Sequence, residues 1–196
     1  LAVLLLIGSV FSAHLTPHDP YRQDLAHAKA APSAAHLLGT DRYGRDMLSR
    51  VIVGSKTSIY STLLLVLIVT VIGTGVGVVC GWRGKWTDTV LMRVADMFLA
   101  FPGLVLALAV AGMLGGGLQN AILALAVISW PKYARLARSQ TLAQKEAPYI
   151  KAAILAGSGT AKLLTKHILP NIMGPILITA MLDIGTMMME LASLSF

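Results

Sequence analysis

Lys151-Ala152-Ala153-Ile154-Leu155-Ala156-Gly157, followed at a distance by His167-Ile168-Leu169-Pro170-Asn171, is a basic stretch set between strongly apolar segments. The pattern predicts two short helices around the Gly157-Ser158-Gly159 turn. Pro170 is expected to stop the second helix before the next apolar segment begins, because proline has no N–H and clashes with the preceding turn. A polar loop of this kind between apolar segments needs a partner outside the chain to explain it.

Composition sets the class of the flanking segments. Of 196 residues, 56% are hydrophobic and 13% charged, and mean hydropathy is +0.72. Soluble domains run near 45–50% apolar and about 25% charged. Lys56 and Arg83 bracket 26 residues without a charge, and a bilayer crossing needs about 20. The expected fold is therefore an all-α integral membrane protein, a multi-span helical bundle. The net charge of +7 fits basic loops on the cytoplasmic side of a membrane. No basic run is interleaved with aromatics, so no nucleic-acid partner is expected. The single cysteine, Cys80, has no internal partner and no Cys-x-x-Cys pattern exists.

Five apolar segments follow along the chain. Residues 1–13 are too short to span and lack the basic start of a signal peptide; they are read as the tail of a first membrane helix. Residues 14–50 are polar, and their end, 39–50, predicts a short interfacial helix with Thr40 or Asp41 as N-cap. Residues 57–81 are the first complete span, with Gly73, Gly75, Gly77 and Gly81 in its second half. Small residues let membrane helices approach closely. A turn at 82–88 carries Trp82 and Trp86. The next uncharged run, Met97 to Pro131, has 35 residues, about 50 Å of helix and too long for one crossing. Gly112 to Gly117 divides it into spans near 89–112 and 118–136. Phe101-Pro102-Gly103 should kink or unwind the first of them. The last span is expected near 171–193.

Charge counting orients the chain. Segment 132–167 holds seven Lys/Arg (Lys132, Arg135, Arg138, Lys145, Lys151, Lys162, Lys166) against Glu146 alone. Segment 14–56 holds six Lys/Arg against four acids. The excess places 132–167 inside and 14–56, with its interfacial helix, outside. No internal repeat is visible.

The order of these pieces resembles a known family. Leu38-Gly39-Thr40-Asp41 leads to Gly44-Arg45-Asp46 and Ser49-Arg50; Arg93-Val94-Ala95-Asp96-Met97-Phe98 precedes Phe101-Pro102; Leu182-Asp183-Ile184-Gly185 leads to Leu194-Ser195-Phe196. With Ala152, Ala153, Gly157, Leu169 and Pro170, the whole chain is similar to the second type of permease subunit in bacterial peptide and nickel ATP-binding-cassette (ABC) importers, and looks closest to nickel permeases. Lys151 stands where the family usually has an acid, and His167 where an aliphatic residue is commoner. The resemblance implies one permease domain over 1–196, a fragment truncated at both ends, in a bacterial inner membrane. It implies a cytoplasmic coupling loop over 144–170, in which Lys151, Ala152, Ala153, Ala156, Gly157, Ser158 and Gly159 meet an ATPase subunit. The implied partners are a second permease, two ATPase subunits that bind ATP and Mg, and an external solute-binding protein. The chain itself would then be no enzyme and hold no cofactor. The implied cargo is nickel, free or chelated, or di- and oligopeptides. A secondary, ion-coupled transporter is the alternative; such carriers usually show internal repeats.

Four residues are candidates for the translocation pathway. Asp96 lies in an apolar run, where a charge is costly and faces a cavity or partner; Arg93, three residues earlier, is a possible local partner. Asp183 and Glu190 lie two helical turns apart on one face, with Met187 between them. That face is either a polar pathway or interhelical bonding. Direct metal ligation is disfavoured, because nickel prefers imidazole and no histidine is near in sequence. Met187-Met188-Met189 suits flexible packing. His14, His18, His27 and His36 in the outer segment, spaced four, nine and nine apart, do not form a compact ligand motif, and no metal site is expected. No phosphate-cradling Gly-x-x-x-x-Gly-Lys-Ser/Thr is present, and no catalytic constellation.

The orientation is testable. A cysteine at Ser33 is expected to react with an impermeant thiol reagent in intact spheroplasts; labelling only after the inner membrane is broken would invert the topology.

Overall fold

The computed structural model describes residues 16–194. The expected helix tail over 1–13, His14, and Ser195-Phe196 lie outside the described residues. The elements are a 3-10 turn at Leu25–His27 and helices α1 Met47–Arg83, α2 Lys85–Leu99, α3 Gly103–Met113, α4 Leu118–Lys145, α5 Pro148–Leu155, α6 Thr160–Leu163 and α7 Leu169–Leu194, with a π turn at Leu164–Ile168 joining α6 to α7. The all-α expectation holds. The chain divides between Ser61 and Thr62 into two compact units.

The first unit is tied together by hydrogen bonds between parts of the chain far apart in sequence. Thr40 and Asp46 form an isolated β-bridge. Lys29 N–H donates to Asp41 O at 2.9 Å and Asp24 N–H to Tyr43 O at 3.1 Å. Asp41 accepts from the N–H groups of Tyr43 and Arg45 and from the side chains of Arg45 and Arg50. Burial works against its charge, but the hydrogen bonds from Arg45 and Tyr43 prevail and hold the carboxyl down at about 2. These bonds occupy the residues expected to cap a helix at 39–50. The helix begins later, at Met47, and Asp46 caps it: its Oδ2 accepts Ser49 N–H at 2.8 Å. No separate interfacial helix forms, because nothing breaks the chain between Met47 and the apolar run.

The second unit packs around α4. Ala121, Leu125, Tyr133 and Ala137 of α4 are buried, against Leu65 and Val69 of α1 and Ile172 and Ile176 of α7. α1 approaches along one stripe. A Cβ at Gly73 would lie 2.4 Å from Tyr133 Cβ, at Gly77 2.3 Å from Ala134 O, and at Gly81 2.8 Å from Thr141 Cβ. The backbones meet because those three positions, four apart, have no side chain. Gly75 faces open space and belongs to the cluster in sequence only. The turn expected at 82–88 shrinks to Gly84, and Lys145 Nζ donates to Trp82 O at 2.8 Å, closing the end of α1.

Among the described residues, two helices are long and apolar enough to cross a membrane, Met47–Arg83 and Thr160–Leu194; the pair Lys85–Leu99 and Gly103–Met113, bent by 90°, is a third if it forms one span. The break expected at Phe101-Pro102-Gly103 is therefore present. The expected span at 118–136 is not among them. It is the start of α4, which runs on to Lys145. An Ala-rich helix covered by its neighbours does not need an apolar surface of its own. Pro170 does not stop its helix either. Thr160 to Leu194 is one helix, and the missing N–H of Pro170 is accommodated by the widened π turn before it.

Replacing Gly77 with Ala should lower stability by about 1–3 kcal/mol, the usual cost of overpacking, while Gly75→Ala should leave it unchanged or slightly raised. Thermal unfolding of the two variants in the same detergent checks this.

Candidate functional site

The short helix α5 is set by its ends. Ala147 is extended, Pro148 occupies the first helical position, and Ile150 is buried in the core. Lys151 Nζ lies 2.9 Å from Glu146 Oε2, and that hydrogen bond and charge hold the Glu146 carboxyl below its usual range. Ser158 N–H donates to Ala153 O at 3.0 Å and Gly157 N–H to Ile154 O at 2.9 Å. Gly157 has a φ of +76°. This is a Schellman closure, which demands a left-handed residue after the helix. Of the two short helices expected around Gly157-Ser158-Gly159, α5 is present, and the second is the opening of the long helix from Thr160 to Leu194.

What α5 presents outward is apolar. Leu155 is 89% exposed and Ile154 48%. Lys151, Ala152, Ala156, Gly157 and Gly159 are exposed beside them, and Ala153 and Ser158 are half-buried. A Cβ at Gly157 would meet no atom of this chain, so the conformation, and no internal packing, requires glycine there.

The four pathway candidates fall into two places. Asp183, Met187 and Glu190 share a cavity of about 200 Å³ with Phe98, Lys132 and Thr186. Asp183 is buried, with Lys132 Nζ 2.7 Å from both carboxylate oxygens and Tyr133 Oη 3.0 Å from Oδ2. The polar face thus lines a cavity and also bonds α7 to α4. Asp96 lies elsewhere, in an open cavity of about 440 Å³ whose lining includes Asp88, Arg93, Arg135 and Arg138. Its ion-pair partner is Arg135 of α4, not Arg93, the possible local partner. Asp88 pairs likewise with Arg138, whose Nη2 lies 2.6 Å from Oδ2. Phe98 meets Trp130 edge-on at 6.0 Å. These three rungs run antiparallel between α2 and α4.

Lys132, Tyr133, Arg135, Arg138 and Asp88 are therefore site residues that the sequence reading missed. Lys132, Arg135 and Arg138 had been counted as loop charges. Their spacing of three was the available signal, since it puts them on one side of a helix continuing past Pro131.

Residues 73–196 match the family described as binding-protein-dependent transport system inner membrane component. The chain belongs to that family. It is 43% identical to the probable D,D-dipeptide transport system permease protein of Escherichia coli K12, over 99% of this chain and 65% of the relative. It is 39% identical to a glutathione transport system permease protein of Pectobacterium atrosepticum, over 100% of this chain and 66% of the relative. A dipeptide transport system permease protein of Alkalihalophilus pseudofirmus is 35% identical over 97% of this chain and 63% of its own length. The chain spans about two thirds of the length of the curated relatives it matches. The family is one of inner-membrane transport-system components, and these relatives are named as permease proteins. The leaning toward nickel permeases is not supported, since these relatives carry peptide and glutathione names.

The Lys132–Asp183 pair gives an asymmetric expectation. Lys132→Met leaves a buried carboxylate with Tyr133 alone and should cost roughly 1–3 kcal/mol, less than a fully buried pair because Lys132 is half-exposed. Adding Asp183→Leu should recover most of that loss. Unfolding midpoints of single and double variants decide; a double variant no better than the single removes the pair as a bond between α4 and α7.

Proposed function

We propose that this chain is the membrane-pathway subunit of an ATP-driven importer of short peptides, of the dipeptide or glutathione kind named in its relatives. The observation that carries the reading is α5: a helix rigidly ended at Gly157, rooted in the core through Ile150, with Ile154 and Leu155 standing bare. A lever needs a stiff contact on one side and a connection to the moving helices on the other. Ile150 and the continuous helix from Thr160 to Leu194 supply the connection. The exposed residues of 151–159 supply the contact, to an ATPase subunit that binds ATP and Mg. A second permease, a second ATPase and a binding protein facing the 14–56 segment complete the assembly. The cavity of Lys132, Asp183 and Glu190 holds the Lys132–Asp183 pair, with which the charged ends of a peptide would exchange.

Gly157→Val should break the Schellman closure, since a β-branched residue at a φ of +76° is strained by about 1–2 kcal/mol or more. Uptake of radiolabelled dipeptide into inside-facing proteoliposomes carrying the whole complex should fall about tenfold or more, while ATP hydrolysis continues. Normal coupling in the variant would count heavily against α5 as the lever. Uptake that persists without ATPase subunits would favour an ion-coupled carrier instead.

A further inference from the structure

The outer segment brings two of its histidines to a buried carboxylate, although His18, His36 and Asp46 are far apart in sequence. His36 Nδ1 lies 2.9 Å from Asp46 Oδ1 and His18 Nδ1 lies 4.0 Å from Asp46 Oδ2. One ligand atom from each of the three residues falls within 4.8 Å of the others. The imidazole rings are 4.9 Å apart and tilted by 41°. Asp46 has a side-chain exposure of 2%, His36 23% and His18 46%, so the carboxylate is fixed and one histidine stays open to solvent. A cavity of about 280 Å³ connects them, lined also by Asp19, Arg22, Asp24 and Gly44. Its three carboxylates outnumber its one guanidinium, which favours a divalent cation.

We propose that His18, His36 and Asp46 bind one divalent transition metal of the zinc class, as a structural clasp of the outer segment. Two imidazoles and one carboxylate form a donor set suited to zinc and its neighbours, whereas calcium and magnesium take oxygen ligands. Tetrahedral bonds of about 2.0–2.2 Å put ligand atoms roughly 3.3–3.5 Å apart. The observed separations of 2.9 and 4.0 Å lie on either side of that spacing, so small side-chain rotations close the site. The supporting contacts are already in place. Asp46 Oδ2 is held by Ser49 N–H at 2.8 Å, and the backbone N–H of His18 donates to Ser49 Oγ at 3.1 Å. Bonds of this kind orient ligands before a metal arrives. A fourth position is left for water on the open side of His18. The ion would join three points of the chain, at 18, 36 and the N-cap of α1, and would stabilise the outer segment by mass action. This reading is independent of the cargo.

The test uses the full-length protein in nanodiscs with Zn²⁺ and, as a spectroscopic probe, Co²⁺. One equivalent of Co²⁺ should bind with the visible absorption of a four-coordinate site, and Zn²⁺ should displace it. Hydrogen exchange over 16–46 should slow about tenfold or more at saturating Zn²⁺. His18→Ala, whose side chain is half-exposed, should abolish both effects without altering exchange in the metal-free protein, and His27→Ala should abolish neither. No micromolar binding overturns the proposal, as does binding that survives His18→Ala.

Discussion

How closely α1 can approach α4 governs the helical unit. Between membrane helices there is little hydrophobic driving force, so association rests on packing and on polar bonds. Gly73, Gly77 and Gly81 remove the side chains that would hold the backbones apart, and α4 answers with Ala134 and Ala137 at the contact. That close approach lets α4 be covered on several sides, and a covered helix can carry polar residues without facing lipid.

The basic residues on α4 are held by pairing and not by burial, since Lys132 and Arg135 are each about half exposed. Lys132, Arg135 and Arg138 recur every three residues, and each meets an acid on a neighbouring helix: Asp183 on α7, Asp96 and Asp88 on α2. Each pair ties α4 to an element that packing alone would leave free to slide.

The segment around α5 and the first unit are built on opposite principles. The α5 segment is short, ends in a conformation only glycine adopts easily, and leaves apolar side chains uncovered. The first unit is closed by its own hydrogen bonds, with Asp41 and Asp46 each collecting several donors.

Much of this was legible from sequence because it depends on local chemistry. Long uncharged runs require membrane helices, Pro102 breaks one of them, and Gly157 ends the short helix α5. Composition and the order of motifs sufficed for the all-α membrane fold and the permease family. Tertiary structure decided where long-range partners were needed. Asp96 chose Arg135 over Arg93, Asp46 rather than Thr40 or Asp41 capped the first helix, and Pro170 was absorbed by a π turn. His18 and His36 met at a carboxylate that their spacing did not reveal. Periodicity reports what a residue's neighbours along the chain allow; which helix lies across from it is set by packing, and no local pattern encodes that.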